Sequence, residues 1–137
     1  MIGIEHFRGA LLGLAVGDAL GTTLEFKPRG SFTPIADIVG GGPFHLKPGQ
    51  WTDDTSMAVA IAEIAATGAD LRDEAAQDAI VARWRGWMSA AKDVGVQTSS
   101  VLRAAGRENI SAARAHAESA ALHRTTGRTA AFSPSRT

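Results

Sequence analysis

Cysteine is absent from the chain, which excludes disulfide staples, zinc–thiolate sites, iron–sulfur clusters and cysteine nucleophiles together. Any metal must be held by oxygen or imidazole. An excess of one charge is missing as well, since 14 Lys plus Arg face 14 Asp plus Glu, so no global field draws the chain to nucleic acid or acidic lipid. Long hydrophobic runs are lacking too: Gly, Asp or Arg interrupts every apolar stretch before the roughly 18 residues of a membrane span. The first residues carry Glu5, His6 and Arg8 in place of the basic start and apolar core of a leader. The expectation is a soluble, cytoplasmic protein with no membrane partner. No Gly-x-Ser-x-Gly elbow occurs, which argues against a serine hydrolase. Strand signals are nearly missing, which leaves an all-α fold. With 137 residues the chain is the size of one ordinary domain.

The balanced charge conceals an asymmetry. Residues 1–100 carry 8 basic and 12 acidic side chains, whereas residues 101–137 carry 6 basic and 2 acidic ones. From Thr125 to Thr137 only Phe132 is a large apolar group, too little burial to offset the entropy of ordering that stretch. The reading is a folded region over residues 1–124 and a disordered basic tail over 125–137. No aromatics interleave with the tail arginines, so nucleic acid is disfavoured as a partner.

Gly9, Gly13, Gly17 and Gly21 recur every fourth position in a proline-free apolar segment, which places them on one face of a helix over Ile4 to Leu20. Interior glycines cost up to about 1 kcal/mol each relative to Ala, so such a helix needs tertiary support. Close packing of another helix on the bare face is the expected support, with Gly21 as the stop. Between Thr22 and Gln50 lie Pro28, Pro34, Pro43 and Pro48 and the run Gly40-Gly41-Gly42. A connection of that length is uncommon unless it lines a site. Thr52 predicts an N-cap for a helix carrying Asp53 and Asp54 in its first turn and Met57, Ile61, Ile64 and Ala65 at helical spacing, ended by Gly68. Ala76, Ile80, Trp84, Trp87 and Met88 mark the core stripe of a further helix behind Asp70 and Asp73. Two Ala-rich segments, Thr98 to Arg107 and Ser111 to His123, complete the helical pattern, with Ser111 as an N-cap.

Two places carry residues suited to chemistry. In Trp51-Thr52-Asp53-Asp54-Thr55-Ser56 two adjacent carboxylates and three hydroxyls open a helix. Simple capping explains them; so does one face of a hard-cation site, because Mg²⁺ takes oxygen ligands and only one or two protein carboxylates. Glu25, between Leu24 and Phe26, is either a solvated loop glutamate or an acid–base carboxylate. His6, His45, His116 and His123 show no metal-ligand spacing and read as structural or exposed.

The run Arg8-Gly9-Ala10-Leu11-Leu12-Gly13-Leu14-Ala15-Val16-Gly17-Asp18-Ala19-Leu20-Gly21, followed by Glu25-Phe26 and by Gly49-Gln50-Trp51-Thr52-Asp53-Asp54-Thr55-Ser56-Met57, resembles the start of the ADP-ribosylglycohydrolase family. Lys92-Asp93-Val94-Gly95-Val96-Gln97-Thr98 resembles a further family segment. The resemblance implies an all-α, multi-helix fold with two Mg²⁺ ions in a cleft. It implies hydrolysis of the bond between ADP-ribose and a modified protein side chain or small conjugate, with Thr52, Asp53 and Asp54 as metal ligands. Glu25 would be the carboxylate that orients or deprotonates the attacking water. Family members also carry a late Asp-x-Asp-Thr motif and a Gly-Asn-Gly loop, and this sequence holds neither an Asp-x-Asp nor a Gly-Asn-Gly. The expectation drawn from that difference is a truncated, N-terminal part of the family fold carrying half of the ligand set, frame-shifted near Ala130. Two readings stand side by side: the family's hydrolase activity, and a catalytically inactive fragment or helical interaction module. The second implies an exposed apolar face and self-association through it.

Overall fold

The computed structural model describes residues 3–106 and 111–127. Five α-helices follow in chain order: α1 (Ile4–Gly21), α2 (Asp53–Ala65), α3 (Glu74–Met88), α4 (Val96–Ala105) and α5 (Ala112–Thr126). Among the described residues extended pairing is limited to one antiparallel bridge between Gly41 and Leu46, so the all-α expectation holds. None of the described helices is long and apolar enough to cross a membrane. The chain divides into two compact units, Met1–Val59 and Ala60–Thr137.

In the first unit α1 is an apolar helix that buries almost nothing: Ala19 is its one buried residue, while Ile4, Phe7, Leu12 and Val16 are each more than half exposed. Among the described residues nothing packs closely on the glycine face. A Cβ placed on Gly9, Gly13, Gly17 or Gly21 would meet nothing within 4 Å. Gly13, Gly17 and Gly21 instead line an open cavity. A row of missing side chains leaves room for a ligand as readily as for a second helix, and sequence spacing alone does not distinguish the two. Gly21 ends α1 as expected, but in a right-handed conformation that leads into a 3-10 turn over Thr22–Leu24.

The Gly40-Gly41-Gly42 run is a brace for that turn. All three glycines have positive φ, from +66° to +83°, a region in which L side chains are strained. A Cβ on Gly42 would lie 2.6 Å from the Thr22 carbonyl oxygen, so only glycine lets the loop close on the turn. Thr23 Oγ1 donates to the Gly40 carbonyl at 2.9 Å and ties the two segments together. The long proline-rich connection is therefore built against the segment that presents Glu25.

In the second unit α3, α4 and α5 pack on one another. Leu102, Ala105 and Ala115 are completely buried and Val101 nearly so; the small alanines let α4 and α5 approach closely. Burying Leu102 and Val101 contributes about 1.5–3 kcal/mol each. The α3 stripe buries Ala76, Ile80 and Trp84 as predicted, joined by Val81, while Trp87 and Met88 are half-buried. Ser119 of α5 is 1% exposed, and its hydroxyl finds no hydrogen-bond partner among the described residues.

Helix bounds shift from the predicted ones at their ends. α4 starts two residues early at Val96. α5 continues past His123 to Thr126, where Gly127 closes it with φ +67°. Thr125 and Thr126, assigned to the basic tail, thus belong to a helix; residues 128–137 and Arg107 lie outside the described residues. Ser111 caps α5 as expected, accepting from the Arg114 amide at 3.2 Å, and Asp78 Oδ1 accepts from the Ala112 amide at 2.7 Å.

Candidate active site

The N-terminus of α2 needs acceptors for its free amides, and the sequence reading assigned that task to Thr52. Thr52 does hold the cap position, its carbonyl accepting from the Ser56 amide at 3.2 Å. Its hydroxyl, however, donates to Asp18 Oδ1 at 2.6 Å and does not serve the amides. Asp18 serves them from α1: Oδ2 accepts from the Thr52 amide at 3.0 Å, the Thr55 amide at 3.1 Å and the Thr55 hydroxyl at 2.6 Å. Helix α2 is therefore capped by a carboxylate 34 residues away in sequence. Thr52 and Thr55 are both buried, which shields these bonds from water and strengthens them.

This junction shapes a cavity of about 670 Å³ within the first unit. The glycine face of α1 forms one wall. Into it come Glu25, Thr52, Asp53 and Asp54, every residue that the sequence reading had singled out, together with Asp18. None of the four histidines lines it. A second cavity, of about 630 Å³, lies in the second unit with walls of Ile61, Leu71, Ile80, Val81 and Trp84; it gathers no group of carboxylates, which makes the acidic cavity the candidate site.

The acids of the cavity feel one another. Glu25 is pushed above the usual carboxylate range first by partial loss of solvent and then by the negative charge of Asp53, with Asp54 and Asp18 adding to it and Thr22 opposing. Asp54 is raised by the same loss of solvent, by Asp53 and by Asp18. For Asp18 burial acts upward, but the hydrogen bonds from Thr52 and Thr55 outweigh it and the carboxyl is lowered, which keeps it ionised. Mutual repulsion of this kind is what a bound cation relieves.

Among the described residues no group of three or more Asp, Glu and His side chains is arranged to hold a metal ion by itself. The donor set nevertheless suits Mg²⁺, which keeps several waters and takes one or two carboxylates. Asp53 and Asp54 would provide two. Thr52 would provide a third oxygen, because its hydroxyl proton is directed at Asp18. Beyond Glu25 the chain turns sharply: Phe26 has φ +62°, a left-handed conformation that costs about 1–2 kcal/mol in a non-glycine residue. Its ring meets Phe44 edge to face, 6.4 Å between centroids, which holds the exit of the turn in place.

A family model of the ADP-ribosylglycohydrolases matches residues 3–134. The chain belongs to the ADP-ribosylglycohydrolase family. Among curated members of that family, the ADP-ribosylarginine hydrolase Tri1 of Serratia proteamaculans is 62% identical over 60 residues, 44% of this chain and 16% of its own length. An ADP-ribosyl-[dinitrogen reductase] glycohydrolase of Rhodospirillum rubrum is 51% identical over 61 residues, 42% of this chain and 21% of its own length. A solved structure titled ADP-ribosylglycohydrolase-related protein complex superposes with a TM-score of 0.58 at 37% identity, covering 73% of this chain and 32% of that one. The matched stretches thus span about a fifth or less of the curated glycohydrolases. For this family member the resemblance stated from sequence holds, and so does the helical fold.

Asp18 is the site residue that sequence reasoning missed. The signal was present: Asp18 is the only charged residue between Arg8 and Glu25. A lone carboxylate in an apolar, glycine-rich helix needs a polar partner.

Proposed function

We propose that this chain carries the carboxylate side of a glycohydrolase active site, which cleaves the glycosidic bond between ADP-ribose and a modified protein side chain or small conjugate. The observation that supports it most is the convergence of Glu25, Asp53 and Asp54 on one cavity beneath the bare glycine wall of α1. A substrate bearing a diphosphate would be repelled by so many carboxylates, so the site requires cations for electrostatic reasons alone. Thr52, Asp53 and Asp54 would hold Mg²⁺. When bound, the ion supplies positive charge that neutralises the acids and polarises ribose hydroxyls and water.

The residues of the chain divide the remaining work. Glu25, raised in pKa and exposed at the cavity, orients the attacking water and accepts its proton as the water oxygen bonds to the anomeric carbon. The glycosidic bond breaks, its electron pair leaves with the side-chain atom, and that atom takes up the proton that Glu25 accepted from water. Positive charge develops at the anomeric carbon during this step, and the neighbouring carboxylates stabilise it. The glycine wall lets the sugar approach the helix backbone with no side chain between. A cytoplasmic location and a protein-linked ADP-ribose substrate belong to the same proposal; the names of the relatives support arginine as the first modified residue to try.

Release of ADP-ribose from an ADP-ribosylated arginine peptide in the presence of Mg²⁺ tests this. Asp53→Ala, Asp54→Ala and Glu25→Ala should each lower turnover by about 100-fold or more while circular dichroism stays helical. A folded wild-type chain that releases no ADP-ribose would sink the catalytic reading.

One observation favours a second reading, a non-catalytic helical interaction module. Ile4, Phe7, Leu12 and Val16 present large exposed apolar groups along α1, more than an isolated soluble helix face displays without a partner. Sedimentation of the wild type against Phe7→Glu/Leu12→Glu tests it. Concentration-dependent association abolished by the double substitution supports self-association through α1, and a monomer at every concentration refutes it.

A further inference from the structure

The bonds around Asp18 are unequally divided between its two oxygens. Oδ2 takes three donors, the amides of Thr52 and Thr55 and the Thr55 hydroxyl, whereas Oδ1 takes only the Thr52 hydroxyl, at 2.6 Å. The Oδ2 set is ordinary helix capping done from a distance: it satisfies the free amides of α2 and complements its dipole. The Oδ1 bond has no capping role, because the hydroxyl it engages is not an amide of the helix.

We propose that Asp18 is a positioning residue for the active site, which fixes the direction of the Thr52 hydroxyl so that its oxygen faces the cavity as a pure electron-pair donor. An ionised carboxylate can only accept hydrogen bonds. Thr52 must therefore point its proton at Asp18, and its lone pairs are left for the cavity that Thr52 lines. Burial of Thr52 at 5% exposure keeps water from competing for that proton. The chain thus makes one carboxylate do two jobs, one per oxygen: Oδ2 orders the helix that carries Asp53 and Asp54, and Oδ1 sets the polarity of the neighbouring hydroxyl. The inference rests on the proposed cation site for its purpose, but the hydroxyl direction itself does not depend on a cation being bound.

Asp18→Asn separates the two jobs. With its carbonyl oxygen in the place of Oδ2 the asparagine keeps three of the four bonds. Its NH₂ then replaces Oδ1 and donates to Thr52, which reverses the hydroxyl. Proton NMR of the purified full chain at low temperature reads this directly, since hydroxyl protons held in buried hydrogen bonds exchange slowly enough to be seen. The wild type should show protected hydroxyl protons for Thr52 and Thr55. Asp18→Asn should keep the Thr55 signal and lose the Thr52 signal, with its helices intact. A wild type without a protected Thr52 hydroxyl, an Asp18→Asn chain with that signal unmoved, or an Asp18→Asn chain that fails to fold would each overturn the proposal.

A Mg²⁺ titration by calorimetry on the same samples supplies the second readout. Affinity should fall about 10-fold or more in Asp18→Asn, in the range typical for residues that orient a metal ligand, and stay near wild type in Thr55→Val, which removes a capping bond without touching Thr52. Equal affinity in wild type and Asp18→Asn would overturn the positioning role. A wild type that has the protected Thr52 hydroxyl and binds no Mg²⁺ would refute the cation reading of the site, and the hydroxyl signals would still decide the role of Asp18.

Discussion

Helices α2 and α5 both begin beside a carboxylate placed 34 residues earlier in the chain, Asp18 for α2 and Asp78 for α5. The two junctions use it differently. At α5 the local residue does the ordinary work: Ser111 turns its hydroxyl onto the Arg114 amide, and Asp78 adds a single bond to the Ala112 amide. At α2 the local Thr52 gives up that work, and Asp18 takes four donors from Thr52 and Thr55. One junction is a cap that a neighbouring side chain supplements. The other withdraws the local hydroxyl from capping and leaves its oxygen to an acidic cavity. The proposed reason for the difference is that the first turn of α2 has another use, beside a cluster of acids.

The comparison breaks most visibly at Asp18. Asp18→Ala leaves two amides and two hydroxyls without their acceptor, and unfolding in urea should show a loss of about 2–4 kcal/mol. Ser111→Ala removes a single local cap and should cost about 1 kcal/mol in the same assay. Equal losses in the two variants would contradict the distinction between the junctions.

Much of the fold was legible because its signals are local. Ser111 and the apolar spacing of Ala76, Ile80 and Trp84 act within one or two helical turns, and those helices formed where these residues placed them, whereas the end of α5 at Gly127 went unread. The candidate site was legible in part for the same reason, since Thr52, Asp53 and Asp54 are consecutive and Glu25 stands one residue beyond a turn. The role of Asp18 was hidden because its partners lie 34 and 37 residues on, beyond the reach of any periodicity. What covers the glycine face was not legible, because absent side chains look the same whether a helix or a ligand fills the space.

A smaller effect contrasts the interiors. The second unit is held by apolar burial, so Ser119→Ala, which deletes a buried hydroxyl lacking a partner among the described residues, should raise stability by up to about 1 kcal/mol. Thr55→Val deletes a hydroxyl bonded to Asp18 and should lower it by a similar amount, about 1 kcal/mol. Opposite signs for the two buried hydroxyls would confirm that the bonded one stabilises its surroundings and the other does not.

Smallest of all is the effect of relieving charge in the cavity. Glu25 is raised in the folded state, so its ionised form opposes folding above that raised value and has no effect below the value of the unfolded chain. Glu25→Gln should therefore raise the melting temperature slightly at neutral pH, by about 1–2 °C because solvent and salt screen an exposed group. The difference should vanish in acid. Activity should fall in the same variant, since the charge that strains the cavity is the one proposed to act on water.

The central proposal is that the acidic cavity of the first unit is a site for a divalent cation. Titration of the isotope-labelled chain with Mn²⁺, followed by paramagnetic broadening of its amide signals, tests that most directly. The account expects Thr52, Asp53, Asp54, Glu25 and the neighbouring Gly17 and Gly21 to broaden first, at substoichiometric metal, with Mg²⁺ restoring them by competition. Broadening that begins at Asp70 and Asp73, or that spreads evenly over the surface acids, would contradict it.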